Sequence, residues 1–171
     1  MPSIELPNEP WLRGTETSVP AVPRAVLHAL QLAEEDLQKW CGILSDSDLS
    51  ARPAGAASVA FHIRHLARSV DRLLTYAEGH PLDEQQLSRL GSELDPGATR
   101  NDLFTELAAT LQRARARILA LAHHNLEELR TVGKKNLPTT LGGLLIHVAD
   151  HTQRHVGQAI TTAQVVGAKK S

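Results

Sequence analysis

The sequence predicts an all-α protein that folds as a four-helix bundle. Its 171 residues fit one domain, because domains cluster near roughly 100–150 residues. Four long segments of comparable length carry apolar residues at steps of three and four, and no segment sustains the period-two alternation of a half-buried strand. Four amphipathic helices bury their apolar faces economically against one another. We therefore expect a bundle with long connections and an extended N-terminal arm.

Residues 1–22 are predicted to form the extended arm, because they hold four prolines and no apolar periodicity. The bundle domain is predicted over 23–168. Its first helix starts at Pro23, since a first turn tolerates proline. Its apolar face is formed by Val26, Leu30, Ala33, Leu37, Trp40 and Leu44.

The second helix is predicted over 59–78. Ser58 precedes it and Gly79 follows it, and these residue types favour a helix start and a helix end. Residues 45–57 are rich in turn formers, so we expect them to interrupt any regular element.

Two connections separate the remaining helices. A long connection, 80–100, in which one short helix could form over 85–90, leads to a third helix over 101–122. An irregular link, 123–139, leads to the fourth helix, 140–166, with Thr140 as its N-cap. We expect sheet to be absent or marginal.

Composition excludes several classes of protein. Lys+Arg 18 against Asp+Glu 19 gives a formal net charge of -1, so no basic excess is available to bind nucleic acid. No apolar run approaches the roughly 20 residues that span a bilayer, and the first residues do not have the composition of a secretory signal, so we expect none. The single cysteine, Cys41, excludes an intramolecular disulfide and a cysteine-rich zinc module. We expect a cytoplasmic protein without a nucleic-acid or membrane partner.

Histidine is the residue type that stands out. The chain has nine histidines beside two Phe, two Trp and one Tyr. His147, His151 and His155 follow one another at steps of four on the fourth helix, and each step turns the side chain by about 40°. The helical wheel places all three on the inward stripe of that helix. The second helix carries His62 and His65, of which His65 also shares an arc with bundle-facing residues.

Two interpretations fit such histidines. A lone histidine on a core-facing arc is commonly a hydrogen-bonded structural residue. Two at i and i+4, with a third from a facing helix, can instead converge on one divalent metal, and burying three polar rings is costly unless something satisfies them. Three neutral nitrogen donors without a thiolate suit Zn²⁺, Ni²⁺ or Fe²⁺. The spacing favours the metal site.

Two runs carry a family resemblance. The run HLARSVDRLL in the second helix, with LPTTLGGLLIHVADHTQRHVGQAITTA around the fourth, resembles the DinB/YfiT-like superfamily. The resemblance implies a four-helix bundle in which one histidine of the second helix and two of the fourth bind a divalent metal. Carried over to this chain, the ligands are His65, His151 and His155. A glutamate matches His151 in some relatives, so the site here would be all-imidazole.

The resemblance also implies a reaction class. Relatives include isomerases and transferases that use low-molecular-weight thiols, so it implies metal-dependent thiol transfer, or a related hydrolysis, on a small-molecule substrate. Three protein ligands leave open positions, as in a catalytic site. The competing hypothesis is a non-catalytic bundle that binds a metal or a small ligand. An apolar bundle face could also serve a homodimer.

Five further residues have open roles, and none is assigned as catalytic. His62 and His147 each lie one turn from a predicted ligand and could replace it, contact it or move protons; His62 could equally be partly exposed without a role. Gln158 could donate or accept a hydrogen bond with a metal-bound water, or have only a structural role at a helix end. Arg72 and Tyr76 could line the same cavity, although Arg72 could instead pair with a surface carboxylate.

Overall fold

The computed structural model describes residues 8–168 and is a four-helix bundle, as the sequence predicts. The first residues of the predicted arm, 1–7, lie outside the described residues. The long helices are α1 (Ala21–Cys41), α3 (Val59–Ala77), α5 (Arg100–Leu121) and α6 (Leu141–Ala168). The connections hold two short helices and two strands: α2 (Asp46–Ser50), α4 (Glu84–Gly91), β1 (Leu129–Val132) and β2 (Leu137–Thr140). Single 3-10 turns occur at Pro10–Leu12 and Pro53–Gly55.

The two helices that carry the clustered histidines, α3 and α6, begin at the predicted N-cap residues. The Ser58 hydroxyl accepts a hydrogen bond from the Phe61 N–H at 3.1 Å. The Thr140 hydroxyl accepts one from the Gly143 N–H, also at 3.1 Å. Each bond satisfies an N–H that has no partner within its own helix, so the starts of α3 and α6 are fixed locally.

Two connections contain more regular structure than the sequence predicts. The turn-rich stretch 45–57 holds α2, which a reciprocal capping box between Ser45 and Asp48 starts. The predicted irregular link, 123–139, holds the antiparallel β1–β2 hairpin. Each strand has only four residues, which is too short for period-two alternation to stand out.

The four long helices form a closed ring in the order α1, α6, α3, α5. Its centre is filled by fully buried aliphatic side chains, with Leu37, Ile63, Ile118 and Leu145 as one example from each helix. Burying one such side chain stabilises the fold by roughly 1.5–3 kcal/mol. No helix within residues 8–168 combines the length and the apolar character needed to cross a bilayer. The ring order makes α3 and α6 direct neighbours.

Candidate metal centre

Three histidines from α3 and α6 converge at one place in the bundle. His65 of α3 and His151 and His155 of α6 each offer a ring nitrogen, and these nitrogens all lie within 4.8 Å of one another. The Nε2 atoms of His65 and His151 are 3.4 Å apart. The structure thus brings together the three histidines that the sequence predicts as metal ligands.

Helix geometry explains the convergence. His151 and His155 are one turn apart on α6, and their ring centroids lie 4.6 Å apart. His65 faces both of them across the helix interface, with centroids at 5.2 and 4.5 Å. The pairing of His62 with His155 and of His65 with His151 shows that α3 and α6 run antiparallel.

The sequence predicts His147, His151 and His155 on the inward stripe of α6, but they lie at the edge of its buried face. Thr152, which is fully buried, marks that centre, and its side chain points about 100° away from that of its neighbour His151. His151 and His155 are half-buried, and His147 is exposed. The Nδ1 of His147 contacts Asp150 Oδ1 at 2.8 Å on the surface. The cluster is therefore open to solvent on the His147 side.

Burial favours the neutral form of the two α6 histidines. Burial, together with positive charge on His65 and His147, lowers the pKa of His151 to about 4. Burial likewise lowers the pKa of His155 to about 4, helped by charge on His65 and His151. A neutral imidazole keeps the lone pair that binds a cation. Both rings are thus available as ligands at neutral pH.

A buried carboxylate contacts His65 from the connection between α4 and α5. Glu93 Oε2 lies 2.6 Å from His65 Nδ1, and Glu93 Oε1 accepts a hydrogen bond of 2.6 Å from Arg72. The Glu93 side chain is only 7% exposed. Burial raises the pKa of Glu93, but the hydrogen bonds from His65 and Arg72 outweigh it and leave the pKa below its usual value. Glu93 is therefore an ionised acceptor.

Glu93 is a functional candidate that the sequence did not reveal. The sequence pointed to it only through Arg72, which lies on the same side of α3 as His65. Pairing with a carboxylate was one of the two roles predicted for Arg72. The pairing is observed, but the prediction of a surface carboxylate was wrong, because Glu93 is buried.

His62 is a second neighbour of the cluster. It is 6% exposed, so the alternative of a partly exposed ring is wrong. Its Nδ1 lies 3.0 Å from His155 Nδ1. The Phe61 ring stacks on His65 with centroids 5.3 Å apart and meets His155 edge-on at 6.4 Å. These two side chains enclose the cluster on the side away from His147.

Two other sequence candidates do not contact the cluster. Tyr76 lines a cavity of about 690 Å³ beside the hairpin, roughly 16 Å along α3 from His65 at 1.5 Å per residue. Gln158 is exposed, and its side chain makes no hydrogen bond within residues 8–168. Neither side chain has a demonstrated contact with the histidines.

The donor set fits a divalent metal. Nitrogens bound to one tetrahedral zinc at 2.0–2.1 Å are about 3.3–3.4 Å apart, and the observed distance between the His65 and His151 nitrogens is 3.4 Å. His65 and His155 each use Nδ1 for a contact with Glu93 or His62, so Nε2 is the nitrogen that would bind a metal. In this structure the Nε2 of His65 also contacts the Ser69 hydroxyl at 3.2 Å. Metal-binding histidines usually have such a partner on the second nitrogen.

Comparisons with known proteins agree with this architecture. The sequence matches the family model of the DinB superfamily over residues 29–159. Among solved structures, the chain is similar to YfiT from Bacillus subtilis, described as "a probable metal-dependent hydrolase with an unusual four-helix bundle topology". The TM-score is 0.63 at 19% identity, covering 85% of this chain and 87% of that chain. No curated protein matches the sequence significantly.

Proposed function

This chain belongs to the DinB superfamily, and on that premise we propose that it is a divalent-metal-dependent hydrolase of a small-molecule substrate. The single observation that carries the proposal is the convergence of His65, His151 and His155, whose ring nitrogens lie within 4.8 Å of one another. The likeness to YfiT, itself described as a probable metal-dependent hydrolase, supports hydrolysis as the reaction.

The chain's own residues would bind the metal and shape its surroundings. When bound by three imidazoles, a divalent metal keeps open positions, polarises a bound substrate and makes a bound water or thiol more acidic. His65, His151 and His155 would supply the three nitrogens. Glu93 holds the His65 ring through its Nδ1, and Phe61 packs on the His65 ring and meets the His155 ring edge-on.

Substrate would enter from the exposed edge of α6. His147 and Asp150 lie at this edge with about half of each side chain exposed, at 46% and 51%. The opposite side is closed by Phe61 and by buried His62. Approach from this exposed edge would favour a defined orientation of the reacting bond.

Thiol transfer is the second candidate reaction at the same centre. The three imidazoles are uncharged ligands, so a divalent ion would keep its full charge and favour an anionic partner such as a thiolate. In that reaction the thiol sulfur would form a bond to an electrophilic carbon, the leaving group would depart with the bonding electrons, and the thiol proton would be released. The consumption of a thiol distinguishes this reaction from hydrolysis.

Metal analysis is the first test of the proposal. The purified protein is expected to hold one divalent metal per chain, and His65→Ala, His151→Ala and His155→Ala are each expected to lose it. His147→Ala is the matched control on the same helix, because its ring is exposed and bonded to Asp150. Equal metal content in the wild type and the three ligand variants would contradict the proposal.

Activity separates an enzyme from a metal-binding module. The metal-free protein, prepared with a chelator, is assayed on a panel of carboxylic esters and amides before and after one equivalent of metal is restored. A parallel assay supplies small thiols with an electrophile. Metal-restored hydrolysis is expected. A wild-type protein that binds metal but turns over no substrate in either assay would favour the non-catalytic bundle.

A further inference from the structure

We propose that Glu93 is a positioning residue, which fixes the proton of His65 on Nδ1 and so presents Nε2 as the ligand nitrogen. The role of Nε2 as a ligand rests on the proposed metal site. The position of the proton is a property of the metal-free chain and is tested separately.

A closed ring of hydrogen bonds determines this proton position. Arg72 can only donate, and it does so to Glu93 Oε1 at 2.6 Å and to the Ser69 hydroxyl oxygen at 3.1 Å. The Glu93 carboxylate can only accept, so His65 Nδ1 must donate across the 2.6 Å contact. In the neutral imidazole Nε2 is then an acceptor. The Ser69 hydroxyl, 3.2 Å from this Nε2, donates to it.

The chain segment that carries Glu93 is anchored independently of the carboxylate. Arg64 donates to three backbone carbonyl oxygens of the segment, those of Ser92 (3.4 Å), Glu93 (3.3 Å) and Asp95 (2.6 Å). One turn along α3, Arg68 donates to the Arg89 carbonyl oxygen at 2.9 Å. The backbone of 89–95 is thus held against α3 without the Glu93 side chain.

The inward position of the carboxylate therefore has to be explained by what it contacts. Taking a carboxylate out of water is costly unless charged and hydrogen-bonding partners compensate the loss of hydration. Leu94 and Asp95, which follow Glu93 directly, are exposed, so the segment borders solvent. A glutamate turned inward at this point gains its contacts with Arg72 and His65. An anionic acceptor on Nδ1–H also makes Nε2 a stronger electron donor toward a cation.

The first experiment observes the His65 proton in the metal-free protein by 15N NMR, with the signals assigned from a His65→Gln spectrum. The wild type is expected to carry the proton on Nδ1. In Glu93→Gln, Arg72 still requires the amide oxygen as its acceptor, so the amide NH₂ faces Nδ1 and the proton is expected to move to Nε2. A wild-type proton on Nε2, or an unchanged proton in Glu93→Gln, would overturn the inference.

The second experiment measures the Zn²⁺ dissociation constant by chelator competition. Glu93→Gln is expected to weaken binding by about 10- to 100-fold, the usual cost of losing such a partner. Glu106→Gln is the matched control, because Glu106 accepts from Arg68 at 2.8 Å without touching a histidine, and its affinity is expected to equal that of the wild type. Wild-type affinity in Glu93→Gln would overturn the positioning role.

The outcomes also separate this inference from the proposed function. A wild type that carries the His65 proton on Nδ1 but binds no Zn²⁺ would remove the proposed function and leave the proton assignment standing. If Glu93→Gln does not fold, as judged by circular dichroism, the wild-type spectrum alone decides the proton position.

Discussion

The histidine cluster has two walls, His65 on α3 and the pair His151 and His155 on α6, and different interactions hold each in place. On the α3 wall, both ring nitrogens of His65 are engaged, Nδ1 with Glu93 and Nε2 with Ser69. On the α6 wall, His151 and His155 keep their places because the adjacent stripe of α6 is buried in the bundle core. The ring of hydrogen bonds therefore orients His65, whereas apolar packing of α6 sets the distance and register of His151 and His155. The two walls should therefore respond differently to substitution.

The largest effect is expected from a core substitution behind the α6 wall. Leu145 is fully buried, so Leu145→Ala should lower the free energy of unfolding by about 2–5 kcal/mol through lost burial and a residual cavity. Ile146 is the adjacent control, since it is 58% exposed, and Ile146→Ala should change stability by about 0.5 kcal/mol or less. Urea denaturation of the metal-free proteins measures both. Equal losses in the two variants would contradict apolar packing as the support of this wall.

A smaller effect is expected from breaking the ring of hydrogen bonds that holds His65 on α3. Arg72→Met removes the guanidinium from nearly buried Glu93, with side-chain exposures of 11% and 7%, and should cost about 3 kcal/mol because a charge stays buried without its partner. Arg154→Met is the control, since its contact with Asp150 is 3.8 Å long and exposed; it should cost less than about 1 kcal/mol. The same denaturation assay applies. If Arg72→Met loses no more free energy of unfolding than the control, the ring of hydrogen bonds does not stabilise this side of the cluster.

A pH effect is expected from the two histidines of α6 in the cluster. The pKa values of His151 and His155 are about 4 in the folded chain against an ordinary 6.5. Between these values the unfolded chain binds more protons, so the free energy of unfolding falls as pH falls from about 6.5 to about 4, and this contribution is complete above 6.5. Thermal unfolding of the metal-free protein across this window measures it. The double variant His151→Gln, His155→Gln should show a shallower dependence; parallel curves would assign the effect to other groups.

The smallest effect is expected at the exposed end of the α6 histidine series. His147→Ala removes a ring that is exposed and bonded to Asp150, so the Zn²⁺ dissociation constant should not change. His151→Ala, one turn away, should abolish stoichiometric binding. Chelator competition compares the two variants directly. A loss of affinity in His147→Ala comparable to that in His151→Ala would mean that the metal lies nearer the surface than the cluster indicates.

The bundle was predictable because its signals are local. Apolar steps of three and four mark the long helices, and Ser58 and Thr140 mark the starts of α3 and α6. The identities of the clustered histidines followed from steps of four together with the family resemblance. Their convergence required α3 and α6 to be neighbours, which the ring order provides.

The remaining parts of the site depend on tertiary structure. Glu93 lies in a connection without periodicity, and only the folded path of 89–95 brings its carboxylate to His65. The burial of His62 depends on the antiparallel register of α3 and α6, which places it opposite His155. The wheel also placed the α6 histidines too far inward, because the true centre of the buried face lies at Thr152.

Cobalt titration of the metal-free wild type tests the central claim most directly, because Co²⁺ reports both the number of sites and the ligand field. We expect saturation at one Co²⁺ per chain, with visible absorption bands of a site that has three imidazoles and an open position. The same bands should be missing from His65→Ala, His151→Ala and His155→Ala. Bands that persist unchanged in all three variants, or a wild type that shows only weak binding without saturation, would contradict a shared metal site between α3 and α6.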